Sequence, residues 1–147
     1  MIMNRIEQRQ NKIVDEFASF TNWEDRYKRI IERGKNSPDL TDAEKTEDAK
    51  VRGCQSQVWL HAKVLPNGEI QFTGDSDAMI VKGLVSILIE VYTNTTPDEI
   101  LNASPEFLKK LGFDTQLSPS RANGLYAMLK QILYYATAFK ALANMKR

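Results

Sequence analysis

Val51-Arg52-Gly53-Cys54-Gln55-Ser56-Gln57-Val58-Trp59 places the chain's only cysteine between a flexible glycine and the start of an alternating run. Val58, Leu60, Ala62 and Val64 alternate with Gln57, Trp59, His61 and Lys63, the period of a half-buried strand. Pro66-Asn67-Gly68 follows, and Asn67-Gly68 reads as a two-residue hairpin turn because both residues tolerate positive φ. Ile70 and Phe72 continue the alternation on a second strand that ends at Gly74. The stretch therefore predicts an antiparallel hairpin with Cys54 in the loop at its entrance. A cysteine that packs as a small hydrophobe has apolar neighbours, whereas Cys54 has Arg52 and Gly53 before it and Gln55, Ser56 and Gln57 after it. Arg52 is expected to lower the thiol's pKa from about 8.5 and raise the fraction of thiolate, the nucleophilic form.

Working outward, Ile6, Ile13, Val14, Phe17 and Phe20 have helical spacing over residues 4–20. Asn22 is a good N-cap for a second helix carrying Trp23, Tyr27, Ile30 and Ile31, with Gly34 as its stop. Residues 35–50 are polar and read as a surface loop leading into the cysteine. After the hairpin, Asp75 or Ser76 is expected to cap a helix from Asp77 to about Thr93. Lys82, Ser86 and Glu90 form one polar stripe on that otherwise apolar cylinder, which marks it as the core helix. Thr95 or Thr96 with Pro97, and then Ser104-Pro105, start two short helices, the second ending near Gly112. The last helix opens at Ser118-Pro119 and carries Leu125, Met128, Leu129, Ile132, Tyr135, Ala136, Phe139 and Leu142. Arg121 stands out, because a cation in a first turn opposes the helix dipole by about 0.3–1 kcal/mol unless it is exposed or an anion lies nearby.

Bulk properties bound the function. A chain of 147 residues fits one domain, residues 1–147, able to bury about 68–70% of its unfolded surface. With 20 basic against 19 acidic residues and a pI near 7.8, it has no global field favouring nucleic acid or an anionic membrane. The most apolar run, Ala78 to Tyr92, is interrupted by Lys82, Gly83, Ser86 and Glu90 and falls short of the ~20 apolar residues that span a bilayer. A lone cysteine forms no internal disulfide and the polar start has no apolar signal core, so the cytoplasm is the expected compartment.

Several chemistries are disfavoured. A cysteine hydrolase needs a base within about 3 Å of the sulfur, and His61, the only histidine, is seven residues along an expected strand, about 23 Å at ~3.3 Å per residue. One cysteine and one histidine do not make a metal site or a cluster scaffold, and no cofactor is called for. A single thiol can exchange sulfur, accepting it as a persulfide and yielding it to another thiol.

Gly53-Cys54-Gln55-Ser56-Gln57-Val58-Trp59 closely resembles the signature of the SufE family of sulfur acceptors in iron-sulfur cluster assembly. Trp23-Glu24, Arg26-Tyr27, Ile30-Ile31, Gly34 and Pro38 upstream match in order, as do Gly74-Asp75-Ser76-Asp77-Ala78, Val81-Lys82-Gly83-Leu84 and Leu117-Ser118-Pro119-Ser120-Arg121 with Asn123-Gly124-Leu125 downstream. The chain departs from the family pattern at Ala49, where an asparagine is usual. The resemblance implies an α+β fold of the SufE/IscU type, a small antiparallel sheet of two to three strands packed against several helices, its third strand around Lys50 to Arg52 completing a meander. It also implies a sulfur carrier and activator rather than a stand-alone enzyme. Cys54 would accept sulfane sulfur from a SufS-type cysteine desulfurase, which holds the pyridoxal phosphate, and pass it to a SufBCD-type scaffold. Arg121 would face the sulfur anion, and Arg52, Gly53, Gln55, Ser56, Gln57, Asp75 and Asp77 would meet the partner. Cys54 is expected to be partly shielded at rest, since an exposed persulfide is open to bulk thiols and oxidants. The competing expectation is a binding module that activates a desulfurase allosterically while Cys54 merely packs.

Overall fold

A computed structural model of the chain describes residues 4–145. Helices α1 (Arg5–Ala18) and α2 (Trp23–Asn36) lead through a long connection to strands β1 (Val58–Val64) and β2 (Ile70–Ser76), then to α3 (Met79–Tyr92), α4 (Pro97–Asn102), α5 (Phe107–Lys110) and α6 (Pro119–Met145). The α+β class is as expected: one antiparallel hairpin, with Val58 opposite Ser76 and Val64 opposite Ile70, lies against the helices. Its inner face, Val58, Leu60, Ile70 and Phe72, is buried in one continuous core with α3 and α6. Each such side chain contributes about 1.5–3 kcal/mol on burial. The Tyr135 hydroxyl of α6 donates to the Leu60 carbonyl at 3.1 Å, tying the long helix to the strand.

Several local expectations are corrected. Gly34 does not end α2, which runs on to Asn36. It lies instead where α2 crosses α3: a Cβ on Gly34 would meet the Met79 carbonyl oxygen at 2.7 Å, and one on Gly83 would meet the Ile30 carbonyl oxygen at 2.0 Å. The two helices touch backbone to backbone. The 65–69 turn is a three-residue loop, in which Gly68 N–H donates to the Leu65 carbonyl and only Gly68 has positive φ. Pro66 fixes φ near −65°, which favours an ordinary turn through Asn67 followed by a left-handed glycine over a mirror-image Asn-Gly turn.

The third strand reduces to a single bridge between Lys50 and Trp59. Turns on either side, Glu47–Lys50 and the left-handed Gly53, leave only Ala49 and Val51 to hydrogen-bond with β1. Neither Asp75 nor Ser76 caps α3, because β2 extends through both and the helix starts only at Met79.

The 37–50 connection is more than a solvated loop. It folds over the outer face of the hairpin as a strap, burying Leu40 and Ala49 against Trp59, with a 3-10 turn at Asp42–Glu44. Lys45 Nζ lies 5.2 Å from the Trp59 ring centroid, and the His61 ring contacts the Glu44 carbonyl. Lys82, on the polar stripe of α3, is buried. It pairs with Asp39 of the strap and, at 3.4 Å, with Asp75.

Candidate functional site

The 51–57 segment is held at both ends and bulges between them. Val51 N–H donates to the Val58 carbonyl and Leu60 N–H to the Ala49 carbonyl, each at 2.8 Å, so Ala49 anchors the approach through its backbone. At the far end Gln57 N–H donates to Asp77 Oδ1 at 3.0 Å, and its carbonyl accepts from Ser76 Oγ at 2.8 Å and from Asp77 N–H at 3.2 Å. The hairpin thus returns Asp77 to the entrance of β1, within three residues of the cysteine. Gly53 turns the chain at φ 94°, a left-handed conformation that glycine adopts without a steric penalty.

This bulge seats Cys54 on the beginning of α6. The residue is half-buried, and its thiol donates to the Gly124 carbonyl at 3.6 Å. Gly124 is what makes the seat possible: a Cβ there would stand 3.3 Å from Sγ. Beside the thiol lies a cavity of about 270 Å³ whose floor is Val81 and Met128 and whose walls include Gln55, Ser56, Ser118, Ser120 and Arg121. The first turn of α6 delivers Ser120 and Arg121 to that wall and its cap delivers Ser118, whose Oγ accepts from Arg121 N–H at 3.4 Å, as an N-cap serine requires.

The electrostatics overturn one expectation. Burial pushes the Cys54 thiol up, toward the protonated form, and no neighbouring cation offsets it. Arg52 is exposed and does not line the cavity, so its sequence proximity does not translate into activation. Arg121 does line it, half-buried, with its guanidinium 5.8 Å from the Tyr27 ring centroid.

Of the other residues singled out in the sequence, Gln55 and Ser56 face the cavity, whereas Gln57 and Asp77 are exposed and locked to each other at its edge. Asp75 is elsewhere. It is 3% exposed and accepts from Leu40 N–H at 2.9 Å and Ser76 N–H at 2.8 Å, so it fastens the strap and presents no carboxylate at the surface. Sequence reasoning missed Ser118, Ser120, Gly124, Val81 and Met128 as cavity residues. Val81, Ser118, Ser120 and Gly124 lie in the stretches that resemble the family pattern, and Gly124 also carried a local signal, since a glycine inside a helical pattern usually has a packing reason.

Chemically, the arrangement offers one sulfur nucleophile, a half-open polar cavity and one cation. His61 lies against the strap and outside the cavity, so no imidazole base serves Cys54. Among the described residues no three His, Cys, Asp or Glu side chains gather as metal ligands.

A hairpin capped by helices, with a lone thiol seated on the final helix, defines a small α+β protein with a single sulfur site. The family described as "SufE: Fe-S metabolism associated domain" matches residues 11–136, and the chain belongs to it. The chain is 40% identical over 126 residues to an uncharacterised SufE-like protein of Rhizobium meliloti (strain 1021), the match covering 83% of this chain and 90% of that relative. Its fold is similar to the solution structure of a hypothetical protein from Thermus thermophilus, with a TM-score of 0.73 at 22% identity, over 90% of this chain and 96% of that one. The family associates the chain with iron-sulfur metabolism. No helix among the described residues is long and apolar enough to cross a membrane.

Proposed function

We propose that this chain is a sulfur acceptor and carrier, acting as one SufE-like domain in the cytoplasm, with Cys54 as the acceptor. The observation that supports the reading is the seating of the only thiol in a half-open cavity with a cation and no base. The Cys54 thiolate attacks the outer sulfur of a persulfide on a SufS-type cysteine desulfurase. The donor's S–S bond breaks, a new bond forms to Cys54 Sγ, and the donor's thiolate leaves with the electron pair, with no net oxidation. The persulfide is then yielded to a SufBCD-type scaffold by the same exchange, and docking stimulates the desulfurase. Arg121 steadies the anionic sulfur, while Arg52, Gly53, Gln57 and Asp77 meet the partner.

A second reading has a specific observation behind it. Burial shifts the thiol further toward its protonated form, a poor nucleophile, as suits a module that activates the desulfurase while Cys54 only packs. Incubation with desulfurase and sulfur-35-labelled cysteine separates the two. The carrier places label on Cys54, and Cys54→Ser abolishes it while leaving fold and partner binding in place. A wild-type chain that stimulates turnover yet carries no label establishes the module.

A further inference from the structure

Five arginines in the described chain are half-buried: Arg9, Arg26, Arg29, Arg33 and Arg121. Four have their guanidinium donors committed. Arg9 donates to the Val91 and Thr93 carbonyls, Arg26 to the Phe20 and Leu111 carbonyls, and Arg29 and Arg33 to Glu16. Arg121 is different. Its guanidinium makes no hydrogen bond and no ion pair to any described residue, and lies over the ring of Tyr27 at 5.8 Å from its centroid. Its five N–H donors are therefore uncommitted among the described residues. The side chain lines the same cavity as Cys54, with the Ser118 and Ser120 hydroxyls beside it. The cavity, about 270 Å³, is also far larger than the single sulfur atom a persulfide adds, since a water molecule's share of liquid is only about 30 Å³.

A planar fork of donors fits an oxyanion with two oxygens, a carboxylate or a sulfonate, better than it fits one sulfur atom. Resting on the acceptor role of Cys54, we propose that the cavity binds small sulfane-sulfur donors with an oxyanion head, Arg121 holding the head and Cys54 taking the sulfur, so that the carrier can be loaded without a desulfurase. With thiosulfate, the Cys54 thiol releases its proton to water and the thiolate attacks the outer, sulfane sulfur. The S–S bond of thiosulfate breaks, the Cys54 Sγ–S bond forms, and sulfite leaves with the electron pair. With cysteine persulfide, the carboxylate takes the place of the sulfonate head and cysteine thiolate is the leaving group. Neither step needs an oxidant or a reductant.

The test uses the reduced chain; the small-donor arms contain no desulfurase, and one further arm contains desulfurase with cysteine. The chain is incubated separately with thiosulfate, with cysteine persulfide and with a neutral organic trisulfide, and modification of Cys54, a persulfide from the two anionic donors and a mixed di- or trisulfide from the neutral one, is followed by mass spectrometry. Sulfite release is measured in parallel in the thiosulfate arm. The proposal expects saturable loading by one or both anionic donors, the faster one identifying the head group. Arg121→Gln should slow it at least about tenfold, the loss of one charge-assisted hydrogen bond, while the trisulfide rate stays within twofold. Arg121→Lys should fall between, and Lys63→Gln, which changes an exposed cation outside the cavity, should load like the wild type; circular dichroism confirms that each variant folds. Loading by desulfurase but by neither anionic donor overturns the inference and leaves the carrier reading standing. Loading by no donor, desulfurase included, overturns the carrier reading itself. An equal slowing of all three small donors by Arg121→Gln also overturns the inference, because Arg121 would then act on the sulfur and not on the oxyanion.

Discussion

Replacing Asp75 by Asn tests the fastening of the strap, because it removes a charge while keeping the side chain's shape. Asp75 is 4% exposed at its side chain and sits 3.4 Å from Lys82, itself 8% exposed, whereas Lys82's other partner, Asp39, is 81% exposed. At an effective dielectric of about 20, the attraction across 3.4 Å is about 5 kcal/mol, and desolvating the two ions costs several kcal/mol each. The net worth of the pair is therefore small. Removing only one partner is another matter: it leaves the Lys82 ammonium desolvated against a surface carboxylate, and such changes cost about 3–5 kcal/mol. Asp75→Asn should fall in that range in urea unfolding followed by tryptophan fluorescence, to which Trp59 under Lys45 reports directly. Lys82→Met in the Asp75→Asn background should recover part of the loss, giving a coupling of about 1–3 kcal/mol in the double-mutant cycle. Because the strap runs into the cysteine loop, the Asn variant should also alkylate faster at Cys54. A loss under about 0.5 kcal/mol, or a coupling of zero, would refute the buried-clasp argument.

Two further outcomes follow from the same geometry. Since burial raises the Cys54 pKa, its protonated form contributes stability that is present below the unfolded thiol's value of about 8.5 and is lost as pH rises through the higher folded value. Alkylation of the free protein should accordingly have its pH midpoint above that of an unstructured cysteine peptide, and Cys54→Ser should remove that part of the alkaline destabilisation; a midpoint at or below the peptide's contradicts the burial argument. Asp77→Arg should loosen Gln57, whose N–H it now accepts, and alter the chain's effect on desulfurase turnover with Cys54 unchanged; turnover identical to the wild type's would separate that edge from the partner surface.

What could be read from the sequence depended on how local the cause was. The hairpin, the caps at Asn22, Thr96 and Ser118 and the central helix follow from periodicity and capping chemistry within a few residues, and each is present. Failures came where a partner distant in sequence decides the outcome. Gly34 reads as a helix stop, but it is a glycine because α3 passes against it; Lys82 reads as one residue of a narrow polar stripe, and nothing local shows that two aspartates, Asp39 and Asp75, come to it. Arg52 lies two residues from the cysteine and points to solvent, whereas Arg121, 67 positions later, shares the cavity. Sequence proximity and a hydrogen-bonded turn say little about which way a long side chain faces.

The resting geometry at Cys54 sets shielding against reactivity. The thiol needs its proton to donate to the Gly124 carbonyl, and a thiolate in the same place would face the negative end of that carbonyl dipole. Activation therefore requires the sulfur to turn away from Gly124, toward the cavity and its guanidinium or out toward a partner. The chain's constraints say where that turn is easiest. Gln57 is tied by hydrogen bonds to Ser76 and Asp77, and Val51 by its bond to β1, so the two ends resist displacement. Only residues 52–56 lie between, and Gly53, already left-handed, is the residue there with the widest choice of φ. A rotation at that glycine would move the sulfur without breaking a strand hydrogen bond, so that, on the carrier reading proposed above, the thiol could reach its reaction partner while the hairpin behind it stays fixed.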